Sequence, residues 1–191
     1  MFKYLLPGSE LHDKLRNTFS NIDDSLVRCM FKSTDDVKSA IKSMESVSVD
    51  MDKTGSILAS ISEDGTTLII HSEFGIKAVD CQMMFYRMKA LSHISFDNFN
   101  TSECTTMRRM FMGCESLCEV DMHGLSSYSV QDFTEMFSGC LSCSSIDVCG
   151  LEVPSHAETC VYSDMFKDCK CLRVISVGSE FSFSNSMSLA N

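Results

Sequence analysis

The dipeptide Met-Phe returns along this chain at Met84-Phe85, Met110-Phe111, Met136-Phe137 and Met165-Phe166, in steps of 26, 26 and 29 residues. A second apolar triplet keeps the same steps. It reads Leu91, Ile94, Phe96, then Leu117, Val120, Met122, then Cys143, Ile146, Val148, then Leu172, Ile175, Val177. Two patterns locked to one period mark stacked supersecondary units, none of which can cover its own apolar face alone. The second half of the chain is therefore expected to be a short solenoid, an architecture that binds with its extended side surfaces.

Each unit can be read from its own residues. Cys118-Glu119-Val120-Asp121-Met122 alternates inward and outward side chains, the strand period. Phe133, Met136, Phe137 and Cys140 are three, one and three apart, which predicts one face of a short helix. Gly113 and Gly139 follow Met-Phe-x where a left-handed helix stop is expected, and Asp168 takes that place in the fourth unit. One unit is thus predicted to be a short helix, a tight stop, a strand and a turn.

The strings FDNFNTSECTTMRRMFMGCESLCEVDM and MFSGCLSCSSIDV resemble the repeat of BspA-like leucine-rich-repeat surface proteins, over about residues 80 to 178. The segment VSVDMDKTGSILASISEDGTTLIIHSE resembles the stretch that precedes such repeats. The resemblance implies an α/β fold. It would be a short right-handed leucine-rich-repeat-like solenoid of about four strand-helix rungs with a parallel sheet. It also implies adhesion or protein binding at a bacterial surface, with no catalytic residues. The third unit departs, with Cys143 in a Leu slot and Glu152-Val153-Pro154-Ser155 replacing the N-T-S turn.

Residues 1–80 do not repeat and predict an α+β cap over the first rung. Leu11, Leu15 and Phe19 fall on one helical face, as do Val37, Ile41 and Met44 behind an Ser33-Thr34-Asp35-Asp36 cap. Strands are expected at 26–31 and 47–51, and Asp64-Gly65 between two apolar runs predicts a hairpin near 57–71. Residues 81–178 form the solenoid, and 179–191 a closing strand at Phe181 to Phe183 with a tail.

A net charge of -10 with scattered basic residues argues against nucleic acid and anionic lipid. No run of 18 apolar residues suggests a membrane span. The resemblance implies secretion, yet the apolar stretch at the N-terminus is too short for a signal peptide. An intracellular or phage-encoded interaction protein is the alternative. Eleven cysteines leave at least one thiol unpaired, and Cys114, Cys140 and Cys169 share one repeat position, as a reduced buried column would.

Register places three columns on the outward face of the strands. They are Ser95, Asp121, Asp147, Ser176; His93, Glu119, Ser145, Val174; and Asp97, His123, Cys149, Gly178. The candidate partner-binding face is His93, Ser95, Asp97, Glu119, Asp121, His123, Ser145 and Asp147. Its partner would be a protein, and no cofactor is implied. Asp97, His123 and Cys149 in line imitate an orienter, base and nucleophile, but nothing in the sequence marks an oxyanion hole. Cys140, Cys143, Cys169 and Cys171 could offer four thiolates to zinc, although three of them fill repeat slots expected to be core. The reading that combines these features is a non-enzymatic binding module.

Overall fold

The computed structural model describes residues 3–5, 27–33, 47–48, 57–61, 67–73, 75–151 and 160–178. The helices expected near 9–19 and 37–44, the turns at 63–66 and 152–155 and the strand at 181–183 lie outside these residues.

The described chain is built from eleven strands: β1 Lys3–Leu5, β2 Val27–Ser33, β3 Val47–Ser48, β4 Leu58–Ile61, β5 Thr67–Ser72, β6 Ile76–Ala78, β7 Leu91–Ser95, β8 Phe99–Asn100, β9 Glu119–Asp121, β10 Ser145–Val148 and β11 Val174–Val177. They form three sheets, ordered β3-β4-β5-β2-β7, β1-β6-β8 and β11-β10-β9. The last two are parallel throughout. In the first sheet β4 pairs antiparallel with β5, Leu58 opposite His71 and Ile61 opposite Leu68, while β2 runs parallel to both β5 and β7.

The expected strand-helix rungs are absent: among the described residues there is no helix. The Met-Phe segments are runs of turns, and the backbone shows why. The residue before each Met-Phe pair has positive φ, at Met83 (58°), Arg109 (56°), Glu135 (55°) and Asp164 (56°). So does the residue two beyond each Phe, at Arg87 (57°), Gly113 (75°), Gly139 (74°) and Asp168 (60°). A right-handed helix needs negative φ throughout, so it cannot pass through these points.

The amides confirm the alternative. Met84 N–H bonds to Cys81 O (3.2 Å) and Tyr86 N–H to Met83 O (3.1 Å), closing tight turns. The amides between them point along the stack: Met83 N–H reaches Arg108 O (2.9 Å), Phe85 reaches Met110 O (2.9 Å) and Arg87 reaches Met112 O (2.8 Å). The next coil repeats this, from Arg109 to Thr134 O, Phe111 to Met136 O and Gly113 to Ser138 O. Alternate amides close the turn and alternate amides bind the next coil, so the backbone is satisfied without a helix. Consecutive turns with i to i−3 bonds bring residues three apart to one side. They therefore imitate the apolar spacing of a helix.

The core fills the space between turn edge and strand edge. Phe85, Phe111, Phe137 and Phe166 are buried and stack nearly parallel, with centroids 5.3, 5.4 and 5.8 Å apart. Beside them Cys114, Cys140 and Cys169 donate their thiols to Phe85 O (3.0 Å), Phe111 O (3.2 Å) and Phe137 O (3.0 Å) of the coil before. Burial raises all three thiols, Cys169 to about 11. Outside the core, ion pairs also step by one coil, Lys77 with Glu103, Lys89 with Glu115 (2.7 Å) and Arg109 with Glu135 (2.6 Å).

Candidate functional site

The strand edge carries a different set of residues. In the β9–β10–β11 sheet, Ser145 pairs with Glu119 on one side and Val174 on the other, and Asp147 with Asp121 and Ser176. Two columns thus come together over three coils. The first coil does not join them: β7 is taken up by β2, with Met30 opposite Ser95 and Arg28 opposite His93. β7 meets the second coil where Cys118 N–H donates to Ser92 O (3.2 Å), without a ladder to β9.

Asp121 and Asp147 each fold back on the turn that follows their strand. Asp121 Oδ1 accepts from the His123 backbone N–H (2.8 Å), and Asp147 Oδ1 from that of Cys149 (2.8 Å). Such Asx caps fix the carboxylates at the strand ends. The bond from Cys149 N–H is the main reason Asp147 sits below the usual carboxylate range. His123 stands over both: its Nδ1 is 2.6 Å from Asp121 Oδ1 and 4.0 Å from Asp147 Oδ1. Its pKa is raised, chiefly by the hydrogen bond to Asp121 and then by the charges of Asp121 and Asp147. The Asp121, His123 and Asp147 side chains are 71%, 59% and 35% exposed, so the cluster faces solvent.

The in-line Asp97, His123 and Cys149 do not form a relay. Asp97 is engaged by Lys32 Nζ (3.1 Å) and Ser95 Oγ (2.9 Å), which hold its carboxyl low. His123 is engaged by Asp121. The Cys149 thiol is raised, first by its hydrogen bond to Asp147, which works against a thiolate. The Cys140, Cys143, Cys169 and Cys171 thiols do not converge either. Cys143 donates to Ser145 O (3.3 Å), Cys140 and Cys169 to Phe carbonyls, and Cys171 is exposed. Among the described residues no three His, Cys, Asp or Glu side chains are placed to hold a metal ion.

Two adjoining depressions contain all eight residues of the predicted face. The larger, about 720 Å³, is lined by Ser95, Asp97, Asn100, Ser102, Asp121 and His123 among others. The smaller, about 290 Å³, lies between the strands against His93, Glu119, Asp121, Ser145, Asp147 and Ser176. Asp121 lines both. The predicted face omits Lys32, Asn100 and Ser102. Lys32 reaches Asp97 across 65 positions and leaves no local signal. Asn100 does have one: its Oδ1 caps Ser102 N–H (2.8 Å), the bond an Asn-x-Ser step invites.

These features define a class: a stack of turn-and-strand coils, without a helix among the described residues, stepping by 26 to 29 residues, with an acidic strand edge. A family model described as "Mycoplasma protein of unknown function, DUF285" matches residues 76–174, just over half of the 191-residue chain, and the chain belongs to that family. No curated protein and no solved structure matches. The resemblance to BspA-like leucine-rich-repeat proteins is corrected accordingly, since DUF285 matches and no BspA-like family does. The positions that suggested it, Met-Phe, the following Cys and the apolar triplet, are buried in the stack, except Ile94 and the fourth triplet Leu172, Ile175 and Val177, which are partly buried.

Proposed function

We propose that this chain is a binding module whose strand edge recognises a basic segment of another protein. The observation that carries the reading is the placement of Asp121 and Asp147, side by side and capped at the strand ends, at the meeting of two open depressions. Capping holds the carboxylates in place before a partner arrives, which lowers the ordering cost of binding. Lys32 and His123 offset part of the charge, and Asp121, Asp147 and Glu119 leave the edge acidic. Interfaces of this kind steer encounter through charge complementarity.

The test uses a short Lys- and Arg-containing peptide as probe, titrated calorimetrically against the full chain. Asp121→Asn with Asp147→Asn keeps the Oδ1 caps and removes two charges. Affinity is expected to fall about tenfold at low salt, roughly 1.4 kcal/mol. The difference should shrink as salt screens the charges. Glu103→Gln with Glu115→Gln removes the same charge elsewhere on the stack and should change affinity far less. Equal losses from the two double variants would reduce the binding to net charge and overturn the reading.

A further inference from the structure

Most of the buried thiols donate to backbone carbonyls, but Cys81 and Cys104 also hydrogen-bond to each other. Both are fully buried. They converge on one atom: Thr106 O accepts from Cys81 N–H (3.0 Å) and from Cys104 Sγ (3.2 Å). Thr105 N–H to Val79 O (3.2 Å) and Met83 N–H to Arg108 O (2.9 Å) clamp the two coils on either side. One period further on, the same positions are Met107 and Val130, so the stack does not need a thiol at either place. The pair also lies off the repeat step, which is why the period does not reveal it.

We propose that Cys81 and Cys104 are a redox-sensitive dithiol that closes to a disulfide, stapling the first coil to the second, when the chain meets a small-molecule disulfide. Thiols already in contact need only a small approach to reach the S–S length of about 2 Å. The pair is also asymmetric. The S–H of Cys81 donates to Cys104 and holds that thiol low, while Cys81 is itself raised by the contact and by burial. The thiolate of one cysteine displaces one thiolate from the reagent and forms a mixed disulfide. The other cysteine then gives up its proton, attacks the bonded protein sulfur and expels the second thiolate. Two protein S–H bonds are lost and one S–S bond forms, while the reagent's S–S bond is reduced to two thiols. Burial means that attack waits on local opening of the coils.

The test uses the full chain carrying Cys149→Ser and Cys171→Ser, which removes the two exposed thiols. Folded protein is held with hydroxyethyl disulfide, quenched in acid and digested without reduction. The expected result is a peptide pair joined through Cys81 and Cys104, with a melting temperature about 5–10 °C higher, as closing a loop of this size implies. Excess dithiothreitol should reverse both. Cys104→Val and Cys81→Met, each a residue the next coil already uses, should abolish the cross-link and the shift while keeping the native circular dichroism spectrum. Failure to form the Cys81–Cys104 link at equilibrium overturns the proposal. So does a link that forms equally fast between other cysteines.

Discussion

The turn edge and the strand edge of the stack share one period and differ in what they repeat. At the turn edge identity returns coil after coil: the four stacked Phe rings and the Cys114, Cys140 and Cys169 column. At the strand edge the geometry returns and identity changes, through Asp121, Asp147 and Ser176 in one column. Packing tolerates little variation, because each ring meets the same neighbours above and below. A solvated edge tolerates much more. Where it nevertheless places two carboxylates side by side and caps both, it is the better place to look for recognition.

The sharpest way to break this comparison is at the turn edge. Phe137 lies between Phe111 and Phe166 and is fully buried. Phe137→Ala should cost about 3–5 kcal/mol in urea unfolding. A loss below about 1 kcal/mol would mean the ring column is not the core of the stack.

The strand edge has its own steric limit, smaller and at one point. Gly124 and Gly150 hold equivalent places in successive coils. A Cβ on Gly150 would meet Met122 O at 2.5 Å, whereas one on Gly124 would meet nothing within 4 Å but would have to adopt φ of 86°. Gly150→Ala should cost about 1–3 kcal/mol through overpacking, and Gly124→Ala about 1 kcal/mol through conformation alone. Equal losses in thermal melts would argue that coil spacing is looser than the hydrogen bonds indicate.

A smaller effect is expected from the ion pair of Arg109 with Glu135. It is bonded through both Nε and Nη2, yet it is part-exposed. A double-mutant cycle with Arg109→Gln and Glu135→Gln should give a coupling of about 0.5–1 kcal/mol that falls with salt. A salt-independent coupling would mean that the side chains act by packing.

The core and its period were legible in the residues themselves. The pairing of Asp121 with Asp147 was also legible, because a strand register follows once the step between coils is known. The helix was misread at Phe133, Met136, Phe137 and Cys140, since i, i+3, i+4 spacing serves consecutive turns as well as helices. What decides between them is the sign of φ at Met83, Arg109, Glu135 and Asp164, and none of these is a glycine that would advertise it. Gly113 and Gly139 did advertise positive φ, though for a turn and not for a helix end. The first coil's place in the columns was lost because β2 pairs with β7 from far away in sequence. Periodicity carries no information about a strand that arrives from outside the repeat.

The last prediction concerns the proton at the strand edge, where the two edges differ most in kind. The Phe and Cys columns of the turn edge are dry and their thiols are pushed up by burial, whereas His123 is exposed and shifted by its hydrogen bond to Asp121 and by the charges of Asp121 and Asp147. Its imidazole should titrate above the ordinary histidine value, followed by the NMR shift of its Cε1 proton. Asp121→Asn should lower that titration more than Asp147→Asn, because Nδ1 lies 2.6 Å from one carboxylate and 4.0 Å from the other. The sign of the linkage follows. Folding raises this pKa, so the stabilisation is fully present below the unfolded histidine value of about 6.5 and is lost as pH rises through the folded value. Solvent screening keeps the effect on stability small. Binding should respond more. Below the folded pKa the imidazolium occupies the space between the carboxylates, so capture of the basic peptide should weaken on acidification. His123→Gln should remove that pH dependence. A wild-type titration at or below the ordinary value, or capture that strengthens in acid, would dissolve the His123–Asp121–Asp147 unit and return the edge to a row of independent polar groups.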